Sequence, residues 1–177
     1  HKWMLAPKGN TFLYVKKDFQ ADLDPLIVSW GYGNPTTERG QFLDYHEYNG
    51  TRDFSAFLVV PALLQFRQVE NWESLIYTCK QKVLEWYPKF CDLMNTQPLC
   101  PVNKDFLGQM FTVTVNTSNP KELKEELFNR FKIEIPVTEY KGVFGVRLSI
   151  QPYTEEEEIQ FLYDSLKTIK EEGRLIN

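Results

Sequence analysis

Residues 109–150 read QMFTVTVNTSNPKELKEELFNRFKIEIPVTEYKGVFGVRLSI, and this stretch holds most of the pattern that decides the fold. The predicted elements from here onward are a strand over 109–115, a helix over 120–131, strands over 133–140 and 143–150, and a helix over 154–172. Asn119 before Pro120 marks the start of the first helix. Thr154 with Glu157 predicts a capping box at the start of the second. We therefore predict a βαββα order, with helices on one face of a small antiparallel sheet.

The chain ahead of this segment predicts fewer regular elements. An amphipathic helix is expected over 71–93, where apolar residues recur at spacings of three and four, and a strand is expected over 11–16. A further helix should open near Asp53 or Ser55 and continue past a kink at Pro61. Because this helix is apolar on most of its faces, we expect it to be buried.

The composition is that of a folded protein. The 177 residues carry a formal charge of −4, and 42% hydrophobic and 15% aromatic side chains provide enough apolar surface for a core. The sequence has no basic stripe suited to nucleic-acid phosphates, and no apolar run of the roughly 18 to 20 residues that cross a bilayer. We therefore expect no nucleic-acid partner and no membrane span.

Cysteine and histidine usage disfavours disulfides and metal sites. Cys79, Cys91 and Cys100 are widely spaced and form no CxxC pair, which favours free thiols in a reducing compartment, so a cytoplasmic location is expected. His46 stands beside Glu47 with no second nitrogen or thiol ligand at metal spacing. We predict no metal site and a structural role for His46.

Four stretches carry side chains suited to chemistry. They are HKWMLAPKGN (1–10), VSWGY (28–32), YNGTRD (48–53), and VRLS (146–149) followed by Pro152-Tyr153. Gly50 and Thr51 are expected at a helix start, where a hydroxyl and free backbone N–H groups suit a phosphate dianion. An ordinary turn before a capped helix is the alternative interpretation of this pair.

In this order and at these separations, the four stretches resemble the carboxyl-terminal half of class V aminotransferase-fold enzymes that use pyridoxal phosphate (PLP), most closely the isopenicillin N epimerase-like branch. The likeness covers nearly the whole chain. It implies the α/β architecture of fold type I PLP-dependent transferases, with residues 1–70 as the end of the large cofactor-binding domain and 71–177 as the small α+β domain. It also implies that an amino-terminal large-domain segment with further cofactor contacts is missing here.

The resemblance assigns the cofactor residues. Lys2 would form the Schiff base with PLP, a reaction that needs a primary amine able to lose its proton. His1 would donate to the cofactor phosphate. Gly50 and Thr51 would reach across a homodimer interface to the neighbour's cofactor, which makes a shared active site. Arg52 belongs to the same motif, and its role, binding a substrate anion or pairing at the interface, stays open.

Arg147 is the candidate for binding the substrate carboxylate. It lies on a predicted strand between Val146 and Leu148, so its side chain alternates to the face opposite theirs. A guanidinium binds a carboxylate through two parallel hydrogen bonds, and the enzymes that this chain resembles orient α-amino acids in this way. A plain sheet-edge arginine is the alternative. Trp30 and Tyr48 either line the site or pack within the domain.

The resemblance implies an enzyme that acts on an amino acid as an epimerase, an aminotransferase or a lyase. A cysteine desulfurase is a minor alternative, because Cys100 lies in a loop whose surroundings do not match the motif of those enzymes. The 177-residue chain alone is expected to be inactive without the missing segment. A second hypothesis is a non-enzymatic truncated homologue that serves as a dimerisation or interaction module.

Overall fold

The computed structural model describes residues 1–34 and 38–177. These residues form two compact units, His1–Phe66 and Arg67–Asn177. The boundary that the resemblance implies, between residues 70 and 71, lies slightly later along the chain. The two units differ in how much apolar surface they bury, and each is described by itself below.

The second unit opens with its longest helix, α4, over Trp72–Met94. One face of α4 is buried and includes Val83, Trp86 and Phe90. The helix ends at Asn95, which adopts the left-handed conformation (φ 55°) that commonly terminates helices. The apolar spacing of three and four therefore produces the amphipathic helix that the sequence predicts.

A three-stranded antiparallel sheet follows, in the spatial order β1, β3, β2. The strands are β1 (Met110–Thr114), β2 (Val137–Tyr140) and β3 (Val143–Ser149). Lys141 and Gly142 join β2 to β3 with φ of 51° and 80°. Two consecutive left-handed residues make the tight hairpin turn whose twist matches that of the flanking strands.

Two helices complete the second unit, α5 (Pro120–Phe131) and α6 (Glu156–Glu172). The side-chain oxygen of Asn119 accepts a hydrogen bond from the Glu122 N–H, which caps α5 as its sequence predicts. The element order of this unit after α4 is thus β1, α5, β2, β3, α6.

The capping box predicted for α6 at Thr154 and Glu157 is wrong by one position. Glu155 is the N-cap, and Glu158 returns the second hydrogen bond of the box. The Thr154 hydroxyl instead accepts from the Gln151 N–H at 3.1 Å, so it closes the turn ahead of the helix. Glu155 is the first of four consecutive glutamates, 155–158, and its carboxylate caps the helix in place of the Thr154 hydroxyl.

The second predicted strand is shorter in the structure than the expected 133–140. Only Val137–Tyr140 joins the ladder, because the preceding residues serve other contacts. The Ile133 N–H bonds the Leu127 carbonyl at the end of α5, and Pro136 has no N–H to donate. The Pro136 carbonyl still accepts from the Arg147 N–H at 3.1 Å, which ties this segment to β3.

The core lies between the helices and one face of the sheet. The Phe111 ring lies 4.9 Å from the Tyr87 ring and 5.6 Å from the Phe90 ring, centroid to centroid. Burying each such side chain contributes about 1.5 to 3 kcal/mol. Other hydrophobic core members with at most 2% exposure are Val83, Cys91, Met94, Val113, Val115, Leu123, Leu127, Val146, Ile150, Ile159, Leu166, Ile169 and Ile176.

The first unit has only short helices among its described residues. They are a 3₁₀ helix (Lys17–Asp22), α1 (Gln41–His46) and α2 (Ser55–Leu58), followed by α3 (Val60–Val69), which runs on past the end of the unit. The strand predicted over 11–16 is wrong, because a strand needs a hydrogen-bonded neighbour and the described part of this unit contains no strand.

The helix predicted to run continuously through Pro61 is interrupted at Val59, so α2 and α3 are separate. Pro61 cannot donate a hydrogen bond to the carbonyl four residues earlier, and its ring crowds that carbonyl. The expectation that this helix is buried is also wrong, since neither α2 nor α3 has a buried residue and Leu58 is 77% exposed.

No helix in the described ranges, 1–34 and 38–177, combines the length and the apolar character needed to cross a membrane.

Gly145 on β3 provides a test of the sheet. A Cβ added there would lie 2.5 Å from Thr112 Cγ2 and 3.2 Å from the Val113 carbonyl oxygen. We expect Gly145→Ala to lower the free energy of unfolding by about 1 to 3 kcal/mol, because the tight contact forces the strands to shift. Urea denaturation measures this, and Thr112→Ser should reduce the cost by removing the methyl group.

Gly108 is the matched control, because a Cβ added there meets no atom within 4 Å. Gly108→Ala should leave the free energy of unfolding within about 0.5 kcal/mol of the wild type. An equal effect of the two alanine substitutions would contradict the close approach of β1 to β3.

Candidate functional site

The predicted site residues fall into two groups, one in each unit. His1, Lys2 and 50–52 belong to the first unit, and Arg147 belongs to the second. The structure describes each group separately.

The loop that carries Lys2, residues 1–10 and called the lysine loop below, is anchored at its end rather than at Lys2 itself. Lys2 is exposed, and its carbonyl accepts from the Leu5 N–H at 3.1 Å in a turn. Asn10 closes the loop: its side chain is buried and its amide donates to the Ala56 carbonyl in α2. The Lys2 amine makes no hydrogen bond or ion pair with any described residue, so no side chain of the described ranges occupies it.

Asn10 was not predicted from the sequence. A buried asparagine has no local signature, because its partner at Ala56 lies 46 residues away along the chain. The contact anchors the lysine loop to the segment that follows residues 50–53, the GTRD motif. One polar contact therefore joins the first of the four stretches to α2, which follows the third.

The Gly50–Thr51 segment does not lie at a helix start, which corrects the prediction. The nearest helix, α2, begins at Ser55 and is only four residues long. Asp53 opens it by accepting from the Ser55 N–H at 2.8 Å, and this hydrogen bond lowers the pKa of the Asp53 carboxyl. The helix dipole therefore gives Thr51 no affinity for a phosphate.

Free backbone donors remain at this segment. Gly50 has φ of 110°, and the N–H groups of residues 50–52 have no hydrogen-bond partner in the described part of the chain. The Thr51 hydroxyl lies 3.3 Å from the Tyr48 hydroxyl. A run of unpaired N–H groups beside a hydroxyl suits an anion.

Arg52 packs on aromatic rings. Its guanidinium carbon lies 4.8 Å from the centroid of Phe57 and 5.9 Å from that of Phe54. Trp30 is 89% exposed, with its ring centroid 6.3 Å from that of Tyr48. These residues form an aromatic surface around the GTRD motif.

Arg147 occupies the middle of the sheet in the second unit. β3 is the central strand, and Arg147 pairs in register with Thr112 of β1. Val146 is 1% exposed and faces the core, whereas Arg147 is exposed on the other face. Because β3 is hydrogen-bonded along both edges, the backbone that carries this guanidinium has little freedom to move.

A cavity of about 660 Å³ adjoins Arg147. Its walls come from the end of β3, the start of α6 and the segment 132–136. Ser149 and Tyr153, which belong to the same sequence motif as Arg147, line it too. Arg147 forms no ion pair within 4.0 Å with any residue that the structure describes, so its charge is available to a ligand.

The cysteines and His46, the remaining candidates for chemistry, lie in surroundings that serve packing or local structure. Burial raises the pKa of the Cys79 and Cys91 thiols, which makes them poor nucleophiles, while Cys100 is partly exposed. His46 Nδ1 donates to the Phe42 carbonyl at 2.8 Å, a local contact within α1. In the ranges 1–34 and 38–177, no three His, Cys, Asp or Glu side chains are arranged to hold a metal ion.

The isopenicillin N epimerase of Amycolatopsis lactamdurans is 30% identical over 187 residues, which cover 96% of this chain and 45% of that protein. An L-cysteine desulfhydrase of Arabidopsis thaliana is 24% identical over 190 residues, covering 94% of this chain and 40% of that protein. The chain is similar in sequence to isopenicillin N epimerases and L-cysteine desulfhydrases. No protein-family profile matches it.

One solved structure supports the predicted fold of PLP-dependent transferases. The 8-amino-7-oxononanoate synthase of Francisella tularensis superposes with a TM-score of 0.54 at 18% identity, over 79% of this chain and 41% of that one. The predicted resemblance is confirmed as sequence similarity to isopenicillin N epimerases and L-cysteine desulfhydrases, and the isopenicillin N epimerase-like branch stays a prediction. The chain spans less than half the length of the curated relatives named above.

Proposed function

We propose that this chain is the carboxyl-terminal part of a PLP-dependent enzyme of the isopenicillin N epimerase-like branch, acting on an amino acid as an epimerase, aminotransferase or lyase. The observation that carries the proposal is Arg147, an unpaired guanidinium on the central strand beside a cavity. The sequence similarity to an epimerase and a desulfhydrase supports it.

The residues present fit PLP by the chemistry of their donors. Lys2 supplies a free primary amine for the aldehyde, and residues 50–52 supply free N–H groups, with the Thr51 hydroxyl, for a phosphate. His1 is exposed and adds a further donor. PLP, when bound, supplies an electron sink that stabilises negative charge at the substrate α-carbon.

The chain's own residues then have distinct tasks. Lys2 attaches the cofactor and moves a proton at the substrate α-carbon. Arg147 holds the α-carboxylate with two parallel hydrogen bonds, which fixes the orientation of the α-carbon. Asn10 positions the lysine loop by its bond to the Ala56 carbonyl.

The first unit exposes apolar side chains that we propose are covered by an amino-terminal large-domain segment. Phe12 is 86% exposed, Tyr14 78%, Leu26 fully exposed and Leu58 77% exposed. Several large apolar side chains left this exposed in one unit favour contact with another part of the protein. The proposal also accounts for the lack of a strand at 11–16, because its pairing partner would belong to that segment.

The cofactor attachment is tested by borohydride reduction of the full-length protein, which fixes PLP to the amine that holds it. Peptide mapping should place the label on Lys2, and Lys2→Ala should abolish it. Lys8→Ala is the control and should leave the label in place. A label on Lys8 would contradict the assignment, and a protein that binds no PLP would favour the interaction-module hypothesis.

The carboxylate contact is tested by Arg147→Ala. A charge-assisted contact of this kind is worth about 1.5 to 3 kcal/mol, so affinity for α-amino acids should fall roughly 10- to 150-fold by calorimetry. Arg147→Lys should restore little, because an ammonium cannot reproduce the guanidinium geometry. Arg130 already pairs with Glu126 and Glu172, so Arg130→Ala should leave affinity unchanged. Unaltered affinity in Arg147→Ala would refute the role.

We propose further that Thr51 serves the cofactor of a partner subunit in a homodimer. A dimer mixed from a Lys2→Ala chain and a Thr51→Ala chain would then have one intact site and one doubly defective site. Its rate of α-hydrogen exchange in deuterated water, followed by NMR, should approach half that of the wild type. A rate equal to the mean of the two mutant homodimers would mean that Thr51 acts within its own chain.

A further inference from the structure

The cavity beside Arg147 has charges of both signs. Lys132 and Arg147 are its basic lining residues, and Glu134, Glu157 and Glu158 are its acidic ones. Its volume of about 660 Å³ lies within the range of about 300 to 1,000 Å³ that small-molecule sites occupy. A ligand held there by one carboxylate would leave room for a side chain.

Two of these charged groups already have partners. Glu158 accepts from the Glu155 N–H in the capping box, and Lys132 Nζ donates to the Asn129 carbonyl at 2.7 Å. The side chains of Arg147 and Glu157 make no hydrogen bond or ion pair with each other or with any other described residue. The same is true of Glu134, which lies in the irregular segment ahead of β2.

Glu157 is the better placed of the two free carboxylates. It lies on α6, whose backbone is fixed by its own hydrogen bonds, and Phe161 follows it by four residues on the same helix face. Phe161 lines the same cavity and is 50% exposed. An apolar surface next to a carboxylate matches an aliphatic chain that ends in a cation.

We propose that Glu157 determines specificity by binding a cationic group at the far end of the substrate side chain, while Arg147 holds the α-carboxylate. This inference rests on the proposed function. Once a substrate carboxylate neutralises Arg147, the charges left at the cavity are those of Lys132 and three glutamates, and their sum is negative. An acidic side chain would then be repelled, and a neutral one would gain nothing from Glu157.

The experiment measures binding of three amino acids to the full-length protein by calorimetry. L-Lysine carries the cation, L-norleucine has the same four-carbon chain without it, and L-glutamate carries an anion. The wild type should prefer L-lysine to L-norleucine. Glu157→Gln should weaken L-lysine about 3- to 10-fold, strengthen L-glutamate and leave L-norleucine within about twofold.

Glu156→Gln is the matched control. It removes the same charge from the same helix turn but from a side chain outside this cavity, so it should leave all three affinities within about twofold of wild type. Equal effects of Glu157→Gln on all three amino acids, or no effect on L-lysine, would overturn the inference. Failure of the proposed function is distinguishable, because Arg147→Ala would then leave all three affinities unchanged.

Discussion

The second unit depends on the pairing of β3 along both of its edges. Five residue pairs join β3 to β1 and four join it to β2. Gly145 permits the close approach to Thr112, and its lack of a side chain keeps the ladder continuous. The fixed position of the Arg147 backbone follows from this pairing, since a residue on a strand that is hydrogen-bonded at both edges has little freedom to move.

The two faces of β3 have different roles: one contributes to stability and the other presents the candidate binding residue. Val146 fills the core on one face, and Arg147 stands exposed on the other, because successive side chains of a strand point to opposite sides. Burial of the inner face stabilises the sheet without involving the outer face. A charged group can therefore be placed with precision at no cost of burying it.

The first unit has a different physical character. Its described residues include only one buried side chain, Asn10, while Phe12, Leu26 and Trp30 are largely exposed. A segment of this composition gains little from burial within its own unit. The proposed large-domain segment would supply the missing contacts, and the similarity to proteins more than twice as long agrees with this.

The sequence by itself determined the elements whose signals are local. Pro120 and Asn119 mark the start of α5, Gly142 with Lys141 marks the hairpin turn, and the period of apolar residues marks α4, because caps, turns and periodicity act over a few residues. The same local alternation predicted that Arg147 would face away from the core. The resemblance carried the residues of the candidate site, among them Lys2, which no local signal separates from an ordinary surface lysine.

Only the tertiary structure decided the features that depend on distant partners. The absence of a strand at 11–16, the exposure of α2 and α3, and the anchoring of the lysine loop by Asn10 all depend on what lies beside those residues in space. Glu155, not Thr154, caps α6, and the Thr154 hydroxyl accepts from the Gln151 N–H instead. The proposal for Glu157 also depends on the tertiary structure. Its cavity is formed by segments that lie far apart in the sequence, and no pattern within one segment reveals which residues line it.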